Sequence, residues 1–270
     1  MFFFLLAASL CGQTPPADVA ALRPLFEQAL AAREQELGPD HAKVARSASD
    51  LGLFLRANGD PAAADIALRR ALAIDQKALG DHDPLVAADR ENLAVLLESG
   101  GRLEEAAALY RLAAEGPDAA IQARCLARLA GFEEARENLD IAETLYRKAL
   151  AAEEAASGKN GARVAVRLND LALLLEAKDD FRSAEPLLRR ALAIQEKAWG
   201  PQHPETAVTL NNLASLLLAG GRITLAETMQ RRAVRILEDN LSPENPRIAT
   251  ARGNLADILR AKASVQPPRP

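Results

Sequence analysis

Three histidines, two cysteines, many dispersed acids and a set of asparagines are what this chain offers for chemistry. His41 and His203 stand just before stretches of helical periodicity. There a side-chain acceptor satisfies the first free backbone N–H groups of a helix. They occupy the same phase of a repeat set out below but lie several repeats apart, so they do not jointly hold a metal. His82, in "GDHDP" (80–84), belongs to the same helix-start landmark. No His-Glu-x-x-His, Gly-x-Ser-x-Gly or phosphate-loop pattern accompanies them. Cys11 and Cys125 form no Cys-x-x-Cys and are too few for a disulfide framework. Cys125 lies in a helical run and reads as a small buried hydrophobe. Acidic runs such as "EEARE" (133–137) read as solvated helix faces, because a paired-carboxylate hydrolase needs two acids that converge. The expectation is a chain with no catalysis, metal or cofactor of its own.

The asparagines stand apart. "LNNLASLLLAGGRITLAE" (210–227) sets Asn211 and Asn212 side by side in a run of Leu and Ala. Asn is a mediocre helix former. Two amides in a helix otherwise built for burial therefore imply hydrogen-bond partners, in a neighbouring segment or in a ligand. The stretch recurs as "LNDLALLLEAKDDFRSAE" (168–185) and "RENLAVLLESGGRLEEAA" (90–107). It recurs more loosely at 48–65, 126–143 and 252–263. The spacing is 42 residues, except for one step of 36 into the third unit. The asparagine phase holds Asp50, Asn92, Arg128, Asp170, Asn212 and Asn254, preceded by Ser49, Glu91, Ala127, Asn169, Asn211 and Gly253. One reading is a ladder of amides between adjacent repeats. The other is a surface that offers donors and acceptors to an extended peptide backbone.

The repeats must be built from paired helices. In each unit a first helix carries Leu at spacings of three and four. A break such as "AGGR", "ESGG" or "ANGD" ends it, and a second helix runs to a landmark such as "WGPQHP" (199–204). There Gly200 suits a left-handed cap and Pro204 a first helical position, so one helix stops and the next starts within six residues. Three columns hold only Gly or Ala. On the first helices they are Gly52, Ala94, Ala130, Ala172, Ala214 and Ala256. On the second helices they are Ala64, Ala106, Ala142, Ala184 and Ala226, and Ala71, Ala113, Ala149, Ala191 and Ala233. Such columns mark close helix crossings, where a larger side chain overpacks at a cost of roughly 1–3 kcal/mol.

This pattern resembles tetratricopeptide repeats, and "RALAIxEKxxG…HPETAxxLNNLA" resembles their kinesin-light-chain type, over about residues 20 to 262. The usual large aromatic early in the first helix is replaced by Leu126, Leu168 and Leu210, or by Ala48 and Arg90. The resemblance implies an all-α fold: an α-solenoid of helix-turn-helix repeats wound as a right-handed superhelix, with about five helix pairs. A lone second-type helix (about 17–36) and a lone first-type helix (about 245–262) would cap the raw apolar ends. It also implies a protein or peptide partner in the concave face. Asp50, Asn92, Arg124, Arg128, Asn169, Asp170, Asn211, Asn212 and Asn254 are the candidate groove residues, and a ligand acid would pair with Arg124 or Arg128. The alternative is a regulatory or sensory accessory subunit of a separately encoded enzyme.

Composition narrows the partners. Net charge is −4 and aromatics make up 4%. The chain therefore lacks the basic excess of a duplex binder and the stacking platforms of a single-strand binder. No nucleic-acid partner is expected, and oligomeric state is not encoded in any visible feature. The solenoid is assigned to residues 19–262, and "ASVQPPRP" (263–270) reads as a Pro-rich tail. Residues 1–18, "MFFFLLAASLCGQTPPAD", read as a leader: an apolar run too short to span a bilayer, then small and polar residues. No Lys or Arg precedes Arg23. Export to the periplasm or outside is expected if this is a signal, and a cytoplasmic location otherwise. Lipid attachment at Cys11 is a second reading. No transmembrane span is expected after the leader.

Overall fold

The computed structural model describes residues 22–265, and all regular structure among them is helical. The leader, Cys11 and the last five residues lie outside the described residues. The helices are α1 (Arg23–Leu37), α2 (Ala42–Ala57), α3 (Pro61–Leu79), α4 (Pro84–Ser99), α5 (Leu103–Ala114), α6 (Ala119–Ala135), α7 (Leu139–Ser157), α8 (Ala162–Ala177), α9 (Phe181–Trp199), α10 (Pro204–Ala219), α11 (Ile223–Asn240) and α12 (Pro246–Val265). None of them is long and apolar enough to cross a membrane. α12 runs three residues past the expected end at 262. Ala263, Ser264 and Val265 contain no helix breaker, and the first proline comes at Pro267.

The described residues form two compact units, divided inside α6 between Cys125 and Leu126. In the first unit α2 packs on α3 and α4 on α5, while α1 covers α2 and α3 meets α4. In the second unit α8 packs on α9 and α10 on α11. There α7 meets α8, α9 meets α10, and α11 is followed by the lone first-type helix α12.

Local chemistry sets the helix ends as the sequence implied. His41 Nδ1 accepts from Lys43 N at 3.1 Å, and His203 Nδ1 accepts from Glu205 N at 3.2 Å. Both histidines are N-caps. At the third such start Asp83, not His82, caps the helix, accepting from Leu85 N at 2.8 Å. Gly200 closes α9 at φ +93, in the left-handed region that a side chain would disfavour. In the tight turns within repeats the same region is taken by Gly59, Gly101 and Gly221, but by Glu137 and Asp179 in the two middle units.

The small-residue columns are the core. Gly52, Ala94, Ala130, Ala172 and Ala214 are buried, and every alanine of the two second-helix columns has zero exposure. Beside them Leu68, Leu93, Leu168, Leu188, Leu210 and Leu217 fill the gaps between helices. Ala256 alone is exposed. It sits on α12, where no second-type helix lies over the column among the described residues.

Candidate functional site

The first helices carry the candidate residues because their small column turns one face inward. On α10, Ala214 is buried, so the phase of Val208, Asn211, Asn212 and Ser215 faces away from that crossing. Val208 and Ser215 are exposed, and both asparagines are half-buried. On α8 the same phase shows Val166 and Leu173, 41% and 42% exposed, with Asp170 half-buried between them. Ser215 Oγ donates to Glu176 Oε1 at 2.8 Å, joining α10 to α8 across this face. The second unit therefore presents a strip of exposed aliphatic groups beside polar ones.

The asparagines of this unit are linked to one another. Asn212 Nδ2 donates to Asn169 Oδ1 at 3.1 Å, and Asn254 Nδ2 donates to Asn211 Oδ1 at 2.7 Å. Each bond steps from one first helix to the next. Asn169 is 8% exposed and donates to Ala165 O and to Thr209 Oγ1, both at 2.8 Å. Both of its N–H groups are thus committed inside the protein, and none is left for a ligand. Asn211 Oδ1 also accepts from Gln230 Nε2 at 2.9 Å. Asn212 and Asn254 each spend one N–H on the ladder and keep a second.

The charged candidates are paired as well. In the first unit Arg124 grips Glu91 with two bonds, Nε to Oε1 at 2.5 Å and Nη2 to Oε2 at 2.6 Å. It is thus a committed cation, where the sequence suggested one waiting for a ligand acid. Asp50 accepts from Arg46 Nε at 3.3 Å, and Asn92 lies half-buried on α4. In the second unit Asp170 accepts from Arg167 Nη1 at 2.9 Å. Burial raises the Asp170 pKa above the usual carboxylate range against the opposing pull of Arg167. Arg128 is exposed and has interactions within the fold. Tyr110 and Tyr146 donate to Glu98 and Glu134, at 2.6 and 2.9 Å. These acids at the end of the first helices are therefore tied to second helices.

The sequence reading overlooked a buried polar seam beneath this face. Asp75, Glu153 and Gln195 lie four residues after Ala71, Ala149 and Ala191, and all three are buried. A spacing of four keeps a residue on the packed face of a helix, so the small column itself was the available signal. Asp89 and Thr209 on first helices, and Gln230 on α11, are buried with them.

The comparisons with known proteins agree with this architecture. The tetratricopeptide repeat model matches residues 18–77, 44–117, 122–197, 188–239 and 205–264. No curated protein matches the chain. Among solved structures, BtubC (BKLC) from P. vanneervenii is similar at 24% identity and a TM-score of 0.71, covering 85% of this chain and 96% of that one. A Podosopora anserina kinesin light chain with nearly identical TPR-like repeats is similar at 22% identity and a TM-score of 0.60, covering 75% and 99%. YrrB, a TPR protein with an unusual peptide-binding site, is similar at 15% identity and 0.54, covering 83% and 98%. With its 42-residue repeat, its small columns and the family model matched along nearly the whole described chain, the chain belongs to the tetratricopeptide repeat family.

Proposed function

We infer that this chain is a protein–protein interaction scaffold, as its tetratricopeptide repeats imply. We propose that this chain binds an extended peptide segment along its first-helix face and has no catalysis of its own. The observation that carries this reading is the strip on α8 and α10: Val166, Leu173 and Val208 are exposed, with Asn212 and Ser215 among them. Exposed aliphatic groups flanked by amides suit a peptide whose apolar side chains alternate with backbone donors and acceptors. Because the nearby charges are mutually paired, the segment is neutral to weakly basic. The spare N–H groups of Asn212 and Asn254 hold its backbone. Each such bond contributes only ~0.5–1.5 kcal/mol net, so affinity comes from several repeats together.

Co-purification followed by a peptide array identifies the segment. Val208→Glu should then weaken binding at least about tenfold, the equivalent of ~1.4 kcal/mol, while circular dichroism stays unchanged. Unchanged affinity in Val208→Glu and in Asn212→Ala would place the binding surface elsewhere. Turnover by the isolated chain would instead favour an enzymatic role.

A further inference from the structure

The first unit closes a pair of carboxyls inside a seam. Asp75 on α3 is 5% exposed and Asp89 on α4 is 6% exposed, where the second helix of one repeat meets the first helix of the next. The two carboxyls are close enough to act on each other, and two buried carboxyls side by side favour a state in which one of them keeps its proton. Ser49 on α2 donates to Asp89 Oδ1 at 3.1 Å. No N–H or hydroxyl donor reaches Asp75 Oδ1 or Asp89 Oδ2. In the second unit the seam of α8, α9 and α10 carries Asn169, Gln195 and Thr209 at this register, all neutral, while on α7 the Asp75 phase holds a single buried acid, Glu153.

The surrounding charges do not neutralise the pair. From α2, Arg46 acts on Asp89, but it is exposed and held by Asp50. From the start of α4, Asp83 adds negative charge beside Asp75. Arg90, next in sequence to Asp89, is spent on Asp81, donating to its carbonyl at 2.8 Å and to its carboxylate. The charged residues of α5, Glu104, Glu105 and Arg111, are all exposed. Burial first, and the Asp75 charge second, push Asp89 up to about 7, and burial raises Asp75 as well.

We propose that the Ser49–Asp75–Asp89 cluster is a proton-held latch, which keeps α2 and α3 closed on α4 while the carboxyls share a proton and loosens the seam when it leaves. Resting on the peptide-binding reading above, this makes the first unit's share of partner binding weaken as pH rises. Asp50 is next to Ser49 in sequence, and Asn92 lies one helical turn beyond Asp89, so the latch underlies candidate contact residues. The sign follows from linkage. Between the ordinary carboxylate value of 3.8 and about 7, the folded protein holds a proton that the unfolded chain has released. Stability of this seam is therefore full at low pH and falls as pH rises through that window.

Hydrogen exchange read by mass spectrometry tests this on the whole protein without a partner. After correction for intrinsic exchange, protection of α3 and α4 amides should fall roughly tenfold per pH unit from about pH 5 to 7, then level off. Amides of α10 and α11, which carry no buried carboxyl, should show no such slope. Asp75→Asn supplies an N–H to the Asp89 carboxylate alongside Ser49 and should abolish the slope. Asp89→Asn is the mirror variant if the first folds poorly. A flat wild-type profile, or a slope that survives both variants, overturns the latch. A peptide found to contact α2 and α4 with a pH-independent Kd between 5 and 8 overturns its link to binding.

Discussion

Asn169→Ala separates an amide that holds repeats together from one that holds a ligand. Asn169 makes three bonds: to Ala165 O and Thr209 Oγ1, each at 2.8 Å, and from Asn212 Nδ2 at 3.1 Å. A net hydrogen bond is worth ~0.5–1.5 kcal/mol, and an orphaned buried group costs ~1–3 kcal/mol. Thr209 has zero exposure, so its hydroxyl has no water to turn to. Asn212 is half-buried and recovers its bond from solvent. The sum is a loss of roughly 2–4 kcal/mol, or a melting temperature lower by roughly 5–10 °C for a chain of this size. Because two of the three bonds cross between α8 and α10, the loss falls on coupling between repeats. The transition should broaden as well as shift, since a solenoid's cooperativity resides in its neighbour interfaces. Thermal melts followed by circular dichroism, with Asn212→Ala as a comparison costing under ~1 kcal/mol, measure both effects. Equal melting temperatures for the two variants would refute the ladder as a structural element.

Two further outcomes follow from backbone and burial. Glu137 and Asp179 adopt φ +62 and +59 where the other repeats use glycine, so Glu137→Gly and Asp179→Gly should each raise stability by ~0.5–1.5 kcal/mol in urea denaturation. Cys125 has zero exposure, and burial pushes its thiol up to about 12. Native protein should therefore resist iodoacetamide at Cys125 at pH 8, and peptide mapping should find modification there only after denaturation.

The fold was legible because it is written many times. A column such as Ala142, Ala184 and Ala226 repeats one steric demand at one phase, and each entry has zero exposure. The histidines were legible for a related reason: His41 and His203 recur before a helix start, and capping needs only local geometry. The polar seam was not legible, because it does not repeat. Four residues after the small column stand Asp75, Pro117, Glu153, Gln195 and Leu237: two acids, an amide and a leucine that share burial, and a proline that is exposed. The asparagines fell between these cases. Their phase marked them as special, but partners 40 and 43 residues away decide whether an amide is spent inside or offered outside. Asn169 is spent inside, and Asn212 keeps one donor.

That non-repeating chemistry has a physical consequence for a protein made of near-identical parts. Every repeat shares the small columns, so apolar packing alone would let one repeat dock on any other. The polar groups differ from seam to seam: Ser49 with Asp89, Asn169 with Thr209 and Asn212, Asn211 with Gln230 and Asn254. A mispaired seam would bury donors without acceptors, at ~1–3 kcal/mol each. Specificity of this kind need not contribute stability. Gln230 makes the distinction measurable. Fully buried, it donates to Asn211 Oδ1 and Ala251 O, both at 2.9 Å, while its own Oε1 has no partner. Gln230→Leu removes that unsatisfied oxygen and strands only acceptors, and Asn211 keeps its bond from Asn254. Leu68 and Leu188 already occupy the equivalent position in other repeats. The variant should stay within ~1 kcal/mol of wild type in urea denaturation, although it removes as many side-chain donor bonds as Asn169→Ala. A loss above ~2 kcal/mol would show that these seam bonds stabilise the array outright and do not merely select its pairing.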